Sequence, residues 1–474
     1  MNNSVESSID ISSKKNHKKA IKVTIIIVVA LLILSIVGLF IYKENVLLDK
    51  KNVIRNSVIK VFNSLENGVD NINSNILPIN ANEETVSIDG TTKLSSNYKD
   101  EEIDLSKLGS YDFKYNTTVD LKNNKLSGII NLNKDNNVLI SLNTFINGKH
   151  GLVESKQLSY YAYNYNIGRD IKEIKIDNTN IYSNIKKIIS RTRDITLNKI
   201  DENDITKDSV EDTIASSKSK FTRFTYKVNV NDYINNVLKF YITDTSVLNT
   251  IAELFNTDSA SMKRTIQNII DSNKDSETIK FEIYLDSLFG TFKQVKIYNE
   301  KEPNKYFRLY QVNNGYEFEV FEQDVLINGT YSNNSLNIYS DALKIEINKI
   351  NNNEYKIYIK YSIDDSYMVL ENNIKTNIND NKQNIALNTS INYGNNDNNI
   401  SFNVDNDINI NKNGTIKPMT SFITKDLSTI DENEATDIEY RLDYIISSIV
   451  NDLYPKNKEG NNKESIVDIM KKGL

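Results

Sequence analysis

Tyrosine is the residue type with which this chain could do chemistry most readily, because it has 27 of them and no tryptophan. They are densest in Tyr160-Tyr161-Ala162-Tyr163-Asn164-Tyr165. In a strand, alternate residues share a face, so Tyr161, Tyr163 and Tyr165 would form an aromatic ladder. Such a ladder can stack on sugar rings, cover a partner's strand, or pack on a half-buried sheet, a setting that suits tyrosine equally well. These three residues are the candidate binding surface.

Other constellations are weaker. His150 sits in Asn147-Gly148-Lys149-His150-Gly151, a hairpin-turn sequence, and a general base there would need an oriented nucleophile beside it. It reads as a surface turn residue, and His17 as part of a basic tail. Ser183-x-x-Lys186 and Ser217-x-x-Lys220 match the serine–lysine spacing of penicillin-recognising enzymes, but the Lys-Thr-Gly and Ser-Asp-Asn companions are missing. Asn409-x-Asn411-x-Asn413-Gly414, after Asp405 and Asp407, has the outline of a calcium loop. The bidentate Glu it requires is replaced by Thr420, so the simpler reading is a strand with Ile408 and Ile410 inward.

With no cysteine there is no disulfide, thiol nucleophile or zinc thiolate site, and two histidines cannot build a multi-histidine centre. Phosphate-cradling loops and dinucleotide fingerprints are absent. No catalytic, cofactor or metal residue is therefore assigned, and no cofactor is expected. The enzymatic alternative is an envelope hydrolase using paired carboxylates, since acids are abundant, though nothing singles out a pair.

The net charge is −6. Lys14, Lys15, Lys18, Lys19 and Lys22 against Glu6 and Asp10 give the first 22 residues +3, which leaves −9 on the rest. Nucleic acid is excluded as a partner, because it rewards clustered Lys and Arg.

Directly after those lysines, Val23 to Tyr42 runs without a charge, long enough to cross a hydrocarbon core as a helix. The lysines should stay in the cytoplasm, placing residues from Lys43 onward outside. A cleaved signal peptide is the rival reading, but Leu39-Phe40-Ile41-Tyr42-Lys43 offers no small-x-small cleavage site. The expected address is the cell membrane, single-pass, with the N-terminus cytoplasmic and the C-terminal domain extracellular.

The elements that must position any site follow. Ile54, Val58, Val61, Phe62 and Leu65 recur at helical spacing until Glu66-Asn67-Gly68, predicting a juxtamembrane helix docked on the body or on a partner helix. Tyr111, Phe113, Tyr115, Thr117, Val119 and Leu121 alternate with polar residues, as do Val138 to Ile146. Ile181, Ile185, Ile188 and Ile189 suggest a helix, and Val210 to Ser219 another helical piece. After a strand at Phe221 to Val228, Asn231 is the expected N-cap of a helix with Ile234, Val237, Leu238 and Tyr241. Val247 to Phe255 and Met262 to Ile270 supply further stripes.

From Thr278 to Ile410 alternating segments dominate, with turns at Asn313-Asn314-Gly315, Asn328-Gly329, Asn333-Asn334, Asn351 to Asn353, Asp364-Asp365 and Asn395 to Asn399. Intervals this short require antiparallel neighbours. A last helix carries Ile438, Leu442, Ile445, Ile446, Ile449, Val450 and Leu453 and stops at Tyr454-Pro455. It should cover part of the sheet's apolar face.

The expected class is α+β: an N-terminal transmembrane helix, then large twisted antiparallel sheet with amphipathic helices on one face. The divisions are a cytoplasmic tail 1–22, the span 23–42, a juxtamembrane helix 43–77, a first β-rich subdomain 78–220, a second subdomain 221–455 and a tail 456–474. This strand–helix–meander–helix layout resembles single-pass surface proteins of low-GC Gram-positive bacteria with a β-rich ectodomain. More remotely it is similar to the half-barrels of periplasmic lipoprotein carriers, in which helices plug a curved sheet. The resemblance is one of layout and carries no function; the anchor, the extended sheet and the poverty of catalytic residue types point instead to a non-catalytic protein anchored in the membrane by its N-terminal helix. Its expected ligand is a protein partner, an envelope component or an apolar molecule, and a second possibility is an accessory to another membrane protein.

Overall fold

In chain order, α1 (Lys50–Asn73) leads to β1 (Val86–Ser96), β2 (Tyr111–Asp120), β3 (Lys125–Lys134), β4 (Asn137–Asn147), β5 (His150–Glu154) and β6 (Ala162–Asn166). Next come α2 (Ile181–Lys199), β7 (Ile205–Ile214), β8 (Ser217–Asn229), α3 (Val230–Thr243), α4 (Thr245–Leu254) and α5 (Ser259–Ser272). The meander begins with β9 (Thr278–Asp286), β10 (Phe292–Asn299), β11 (Glu302–Val312), β12 (Gly315–Glu322) and β13 (Val325–Ser332). It continues through β14 (Ser335–Tyr339), β15 (Leu343–Asn351), β16 (Glu354–Ile363), β17 (Ser366–Asn379), β18 (Lys382–Gly394) and β19 (Asn399–Asn411). A short β20 (Thr424–Asp426) and α6 (Glu432–Leu453) follow.

This computed structural model describes residues 49–454, apart from 169, 175, 215, 256, 273–276, 288–289, 313–314, 323–324, 333, 396–398 and 420–422. The expected span Val23 to Tyr42, the basic tail before it and the tail 456–474 lie outside the described residues. Among the described residues no helix is long and apolar enough to cross a membrane. The α+β class with large twisted sheets holds. The described residues form two compact units, 49–71 with 181–332, and 72–180 with 333–454. They interleave along the chain, and a division at residue 220 falls inside β8.

In the first unit β7 through β13 form a meander in which each strand pairs antiparallel with the next. Register places Phe224, Ile283, Val295, Leu309 and Phe318 in one cross-strand row, all buried. The helices gather a core of their own around Val247, Ile251, Met262, Ile266 and Ile270. Asn229 caps α3 by accepting from the Asp232 amide, two residues before the expected cap at Asn231. Asp244 starts α4 by accepting from the Ser246 and Val247 amides.

Three sequence expectations need correction in this unit. Val210 to Ser219 is not helical but lies in the β7–β8 hairpin. β7 is an edge strand whose only buried side chains, Ile205 and Ile214, lie at its two ends, so its own pattern is weak and its pairing with β8 decides its state. Asn328-Gly329 is not a turn but the middle of β13, where Gly329 pairs with buried Phe318. Finally, α1 does not stop at Glu66-Asn67-Gly68. Helix-interior glycine costs only about 1 kcal/mol, and ion pairs from Arg193 to Glu66 (3.2 Å) and Lys186 to Asp70 (2.8 Å) hold the last turns. The stripe on α1 does dock, burying Val53, Ile54, Val61 and Phe62.

In the second unit the strand order is β14-β15-β16-β17-β18-β19-β1-β2-β3-β4-β5-β6-β20. All neighbours are antiparallel except β6 and β20, which pair in parallel, so the sheet is mixed where a wholly antiparallel one was expected. The long connection out of β19 supplies the chain length that a parallel return needs. At one end Ala81, Val86, Leu121 and Ile171 form a small core. Buried Gln383 fastens the segment after α1 to β18, accepting from the Leu77 amide (3.0 Å) and donating to the Asn75 carbonyl (2.8 Å).

Leu309→Ala, at a position with 0 % exposure, should cost about 2–5 kcal/mol through lost transfer energy and the cavity left behind. Ile363→Ala, on an exposed strand end, should stay within about 0.5 kcal/mol. Urea midpoints of the two variants check the contrast.

Candidate functional site

Strand register in the second unit sorts side chains by polarity. From Leu336 on β14 to Tyr165 on β6, the charged side chains on one face are Lys134 and Lys349, among the described residues. Tyr361, Met368, Tyr393 and Ile400 form one cross-strand row of it, and Ile359, Leu370, Ile391 and Phe402 the next. Ile408, Gly90, Tyr115, Ile130 and Leu142 make another. The opposite face is polar: Asn384 donates to Asp407 (2.6 Å), Asn388 to Asp405 (2.7 Å) and Asn409 to Asp89 (3.2 Å).

Much of the apolar face stays open. Tyr393 is 56 % exposed, Ile130 51 %, Met368 46 % and Leu142 42 %. Scattered apolar residues on a surface are ordinary, but a contiguous run over neighbouring strands marks an interaction surface. One contact inside the face is very close. The Tyr115 ring lies over Gly90, where a Cβ would come within 2.5 Å of its hydroxyl. Any larger residue at 90 would displace that ring.

The C-terminal helix α6 is bonded to this face at its two ends. In its first turn Glu434 accepts from the Tyr163 hydroxyl (2.7 Å) and pairs with Lys425. In its last turn Asp452 pairs with Lys134 and accepts from the Tyr111 hydroxyl. Beyond it the Leu453 carbonyl accepts from the Asp104 amide (2.7 Å). Between these clamps not one residue of α6 is buried, and Tyr440 and Tyr444 are more than 70 % exposed. Ordinary amphipathic helices in globular proteins are held by burial of their apolar stripe. This one is held by two carboxylates.

The clamps shift their titrating groups. Lys425 and then Tyr163 hold Glu434 below the usual carboxylate range. Burial pushes Asp452 upward, but hydrogen bonds from Lys134 and Tyr111 outweigh it and bring it below that range. Burial, then the Asp452 carboxylate, pushes the Tyr111 phenol well above its ordinary value.

Of the three candidate tyrosines, Tyr163 and Tyr165 lie on β6 and share a face, Tyr161 precedes the strand, and each has a different environment. Tyr163 is buried and committed to Ser159 and Glu434. The Tyr165 ring packs on Gly151, and its hydroxyl lies 3.3 Å from Thr144 Oγ1. Tyr161 is half-open, with the Lys425 ammonium 5.7 Å from its ring centre. Its neighbour Tyr160 is 81 % exposed beside Arg441.

His150 is exposed at the first position of β5, opposite Asn147 and Asn166. Lys186 is spent on Asp70, and Ser217 and Lys220 lie on β8. Asp405, Asp407, Asn409 and Asn411 belong to β19, with Ile408 and Ile410 on the apolar face. Among the described residues no group of His, Asp and Glu is placed to hold a metal. The arrangement is thus suited to holding apolar matter, with tyrosine hydroxyls at the margins.

Sequence reasoning missed Glu434 and Asp452. A signal for them existed: they stand 18 residues apart, five turns at about 3.6 residues per turn, and so share one side of the helix.

No family model matches this chain, and no curated protein does. Among solved structures, a mutant of Transferrin Binding Protein B from Haemophilus parasuis Hp5 aligns over 68 % of this chain and 76 % of its own, at 5 % identity and a TM-score of 0.11. Intact Ap-TbpB, with N and C lobes, aligns over 71 % of this chain and 78 % of its own, at 8 % identity and a TM-score of 0.12. Likeness at that level carries nothing over to this chain.

The clamps make a pH prediction. A carboxylate depressed in the folded state contributes stability that is complete above its unfolded value, near pH 4, and lost as pH falls through the depressed value. The protection of α6 amides relative to their intrinsic exchange rates should therefore fall between about pH 5 and about pH 3 more than that of the well-buried α4. Glu434→Gln with Asp452→Asn should make α6 exchange fast already at neutral pH. Equal protection of α6 in parent and variant would refute the clamp account.

Proposed function

We propose that this chain is a non-catalytic binding protein, tethered to the cell membrane by Val23 to Tyr42 with its two units outside, and that the second unit takes an apolar ligand on its open sheet face. The observation that carries this is the nearly uncharged face on which Tyr393, Ile130, Met368 and Leu142 remain exposed. Water leaves such surface favourably, at about 25 cal/mol per Å², so a hydrocarbon chain lying over three or four strands has a sufficient driving force. The tether would keep the face close to a lipid source. The five lysines ahead of the run support that orientation, and the abundance of asparagine, with lysine far outnumbering arginine, fits an AT-rich coding sequence and so a low-GC Gram-positive source.

A hydrolase using paired carboxylates finds less support. The acids described above are engaged in clamps, caps and ladders, as Glu434, Asp452, Asp244 and Asp405 illustrate.

The chain from Lys43 onward, purified without detergent, should bind a fluorescent fatty acid saturably and carry co-purified lipid visible by mass spectrometry. Met368→Asp and Tyr393→Asp, paired neighbours at exposed positions, should each weaken binding about tenfold, the effect of roughly 1.4 kcal/mol, while leaving the urea midpoint unchanged. Absence of saturable binding to fatty acid, phospholipid or glycolipid would remove the reading.

A further inference from the structure

The first unit presents a different surface on the side of its sheet opposite the Phe224–Phe318 row. Register lines up Tyr298, Tyr306 and Phe321 across β10, β11 and β12. Two residues along the strands, Glu282, Lys296, Arg308 and Glu319 form a second line across β9 to β12. Two further along, Tyr284, Gln294, Tyr310 and Glu317 form a third. A charged row thus lies between two tyrosine rows.

Cations and rings alternate closely. The Lys296 ammonium is 5.3 Å from the Tyr298 ring centre and 4.8 Å from that of Tyr306. The Arg308 guanidinium is 5.9 Å from Tyr306 and 5.6 Å from Tyr310. Tyr306 also stacks on Phe321 at 5.8 Å. Neighbouring charges are answered within the unit. Arg308 grips Glu319 bidentately, Arg223 takes Asp208, and Glu317 accepts from Tyr310 (2.9 Å). Buried Glu282 accepts from Arg223, Tyr284 and Tyr298.

Two polar groups on β10 are not answered in this way. Lys296 has no carboxylate within ion-pair distance among the described residues, only the two rings. Gln294, next along the same face, is 1 % exposed and its Oε1 has no hydrogen-bond partner. An unmet buried acceptor costs stability unless something supplies a donor. A ligand suited to the strip has hydroxyl or amide groups that accept from the half-exposed Lys296, while the enclosed Gln294 stays out of its reach. It also has a ring-shaped, partly apolar body to lie on half-exposed tyrosines.

The charge balance narrows the ligand further. Acids and bases are interspersed and nearly cancel, so a polyanion would meet Glu282, Glu317 and Glu319 beside every cation it approached. We infer that this face binds a neutral glycan chain, with Lys296 as its central donor and Tyr298, Tyr306 and Tyr310 as the bed beneath it. This site is separate in unit and chemistry from the apolar face of the second unit.

Affinity electrophoresis of the full-length chain in detergent micelles tests it, using gels that carry a soluble β-glucan, a xylan or glycol chitin, with polyphosphate as the anionic comparison. Retardation by at least one neutral polymer is expected, unchanged between low and high salt. Lys296→Met and Tyr306→Ala should each weaken it tenfold or more, whereas Tyr393→Asp in the second unit should not affect it. If Tyr306→Ala proves unfolded by circular dichroism, the half-exposed Lys296→Met carries the test. Migration unaffected by every neutral polymer overturns the proposal. Retardation by polyphosphate alone, abolished by salt, also overturns it and assigns the face to anions. Equal retardation of parent and Lys296→Met places the glycan elsewhere and overturns it as well.

Discussion

If β1 slipped by one residue against β19, Ile88, Gly90 and Leu94 would turn toward the polar side, and Asp89 and Lys93 would enter the apolar one. The same penalty applies at every pairing of the second unit, because strand side chains alternate with a period of two. Asn384, Asn388 and Asn409 reinforce the register from the wet side through bonds to aspartates on adjacent strands. Both the apolar face and the tyrosine clamps depend on this sorting. Tyr111 and Tyr163 meet Asp452 and Glu434 only because their strands present them on the same side.

The two units treat their exposed faces differently. In the first, the open side combines tyrosine rings with lysine, arginine and glutamate, and nearly every charge has an internal partner. In the second, the open side carries almost no charge, and its ionic groups sit at the ends of α6. One surface is built for hydrogen bonding over aromatic rings and the other for displacing water from hydrocarbon. Both use tyrosine, which offers an apolar body and a polar tip.

Local patterns in the sequence were enough for most elements. Alternation from Tyr111 to Leu121 and from Thr278 to Ile410 marks real strands, and the stripes on α1, α4 and α5 are buried as their spacing requires. Failures came where tertiary partners outvote local preference. β7 lacks a strand pattern because it lies at an edge, Gly329 reads as a turn but pairs with Phe318, and α1 passes Gly68 because Arg193 and Lys186 hold its end. Alternation was enough to place Tyr163 and Tyr165 on one side of β6. That they would be spent on Glu434 and Gly151 was not legible, since those partners are remote or on another strand. The cross-strand rows of the first unit are invisible in one dimension, because each row takes a single residue from each strand.

The pairing of β1 with β19 joins residues 87–96 to residues 402–411, with most of the chain between them. During synthesis β1 and β2 emerge long before their neighbour on the other side exists. The edge of β1 and the apolar surface of β1 to β4 must therefore wait, unpaired, until β19 arrives. Contacts of such sequence separation are slow to form, and waiting strand edges are where chains associate wrongly. The seam along β1 is thus the pairing of the second unit's sheet that spans the most chain, and it closes only after β19 has been made.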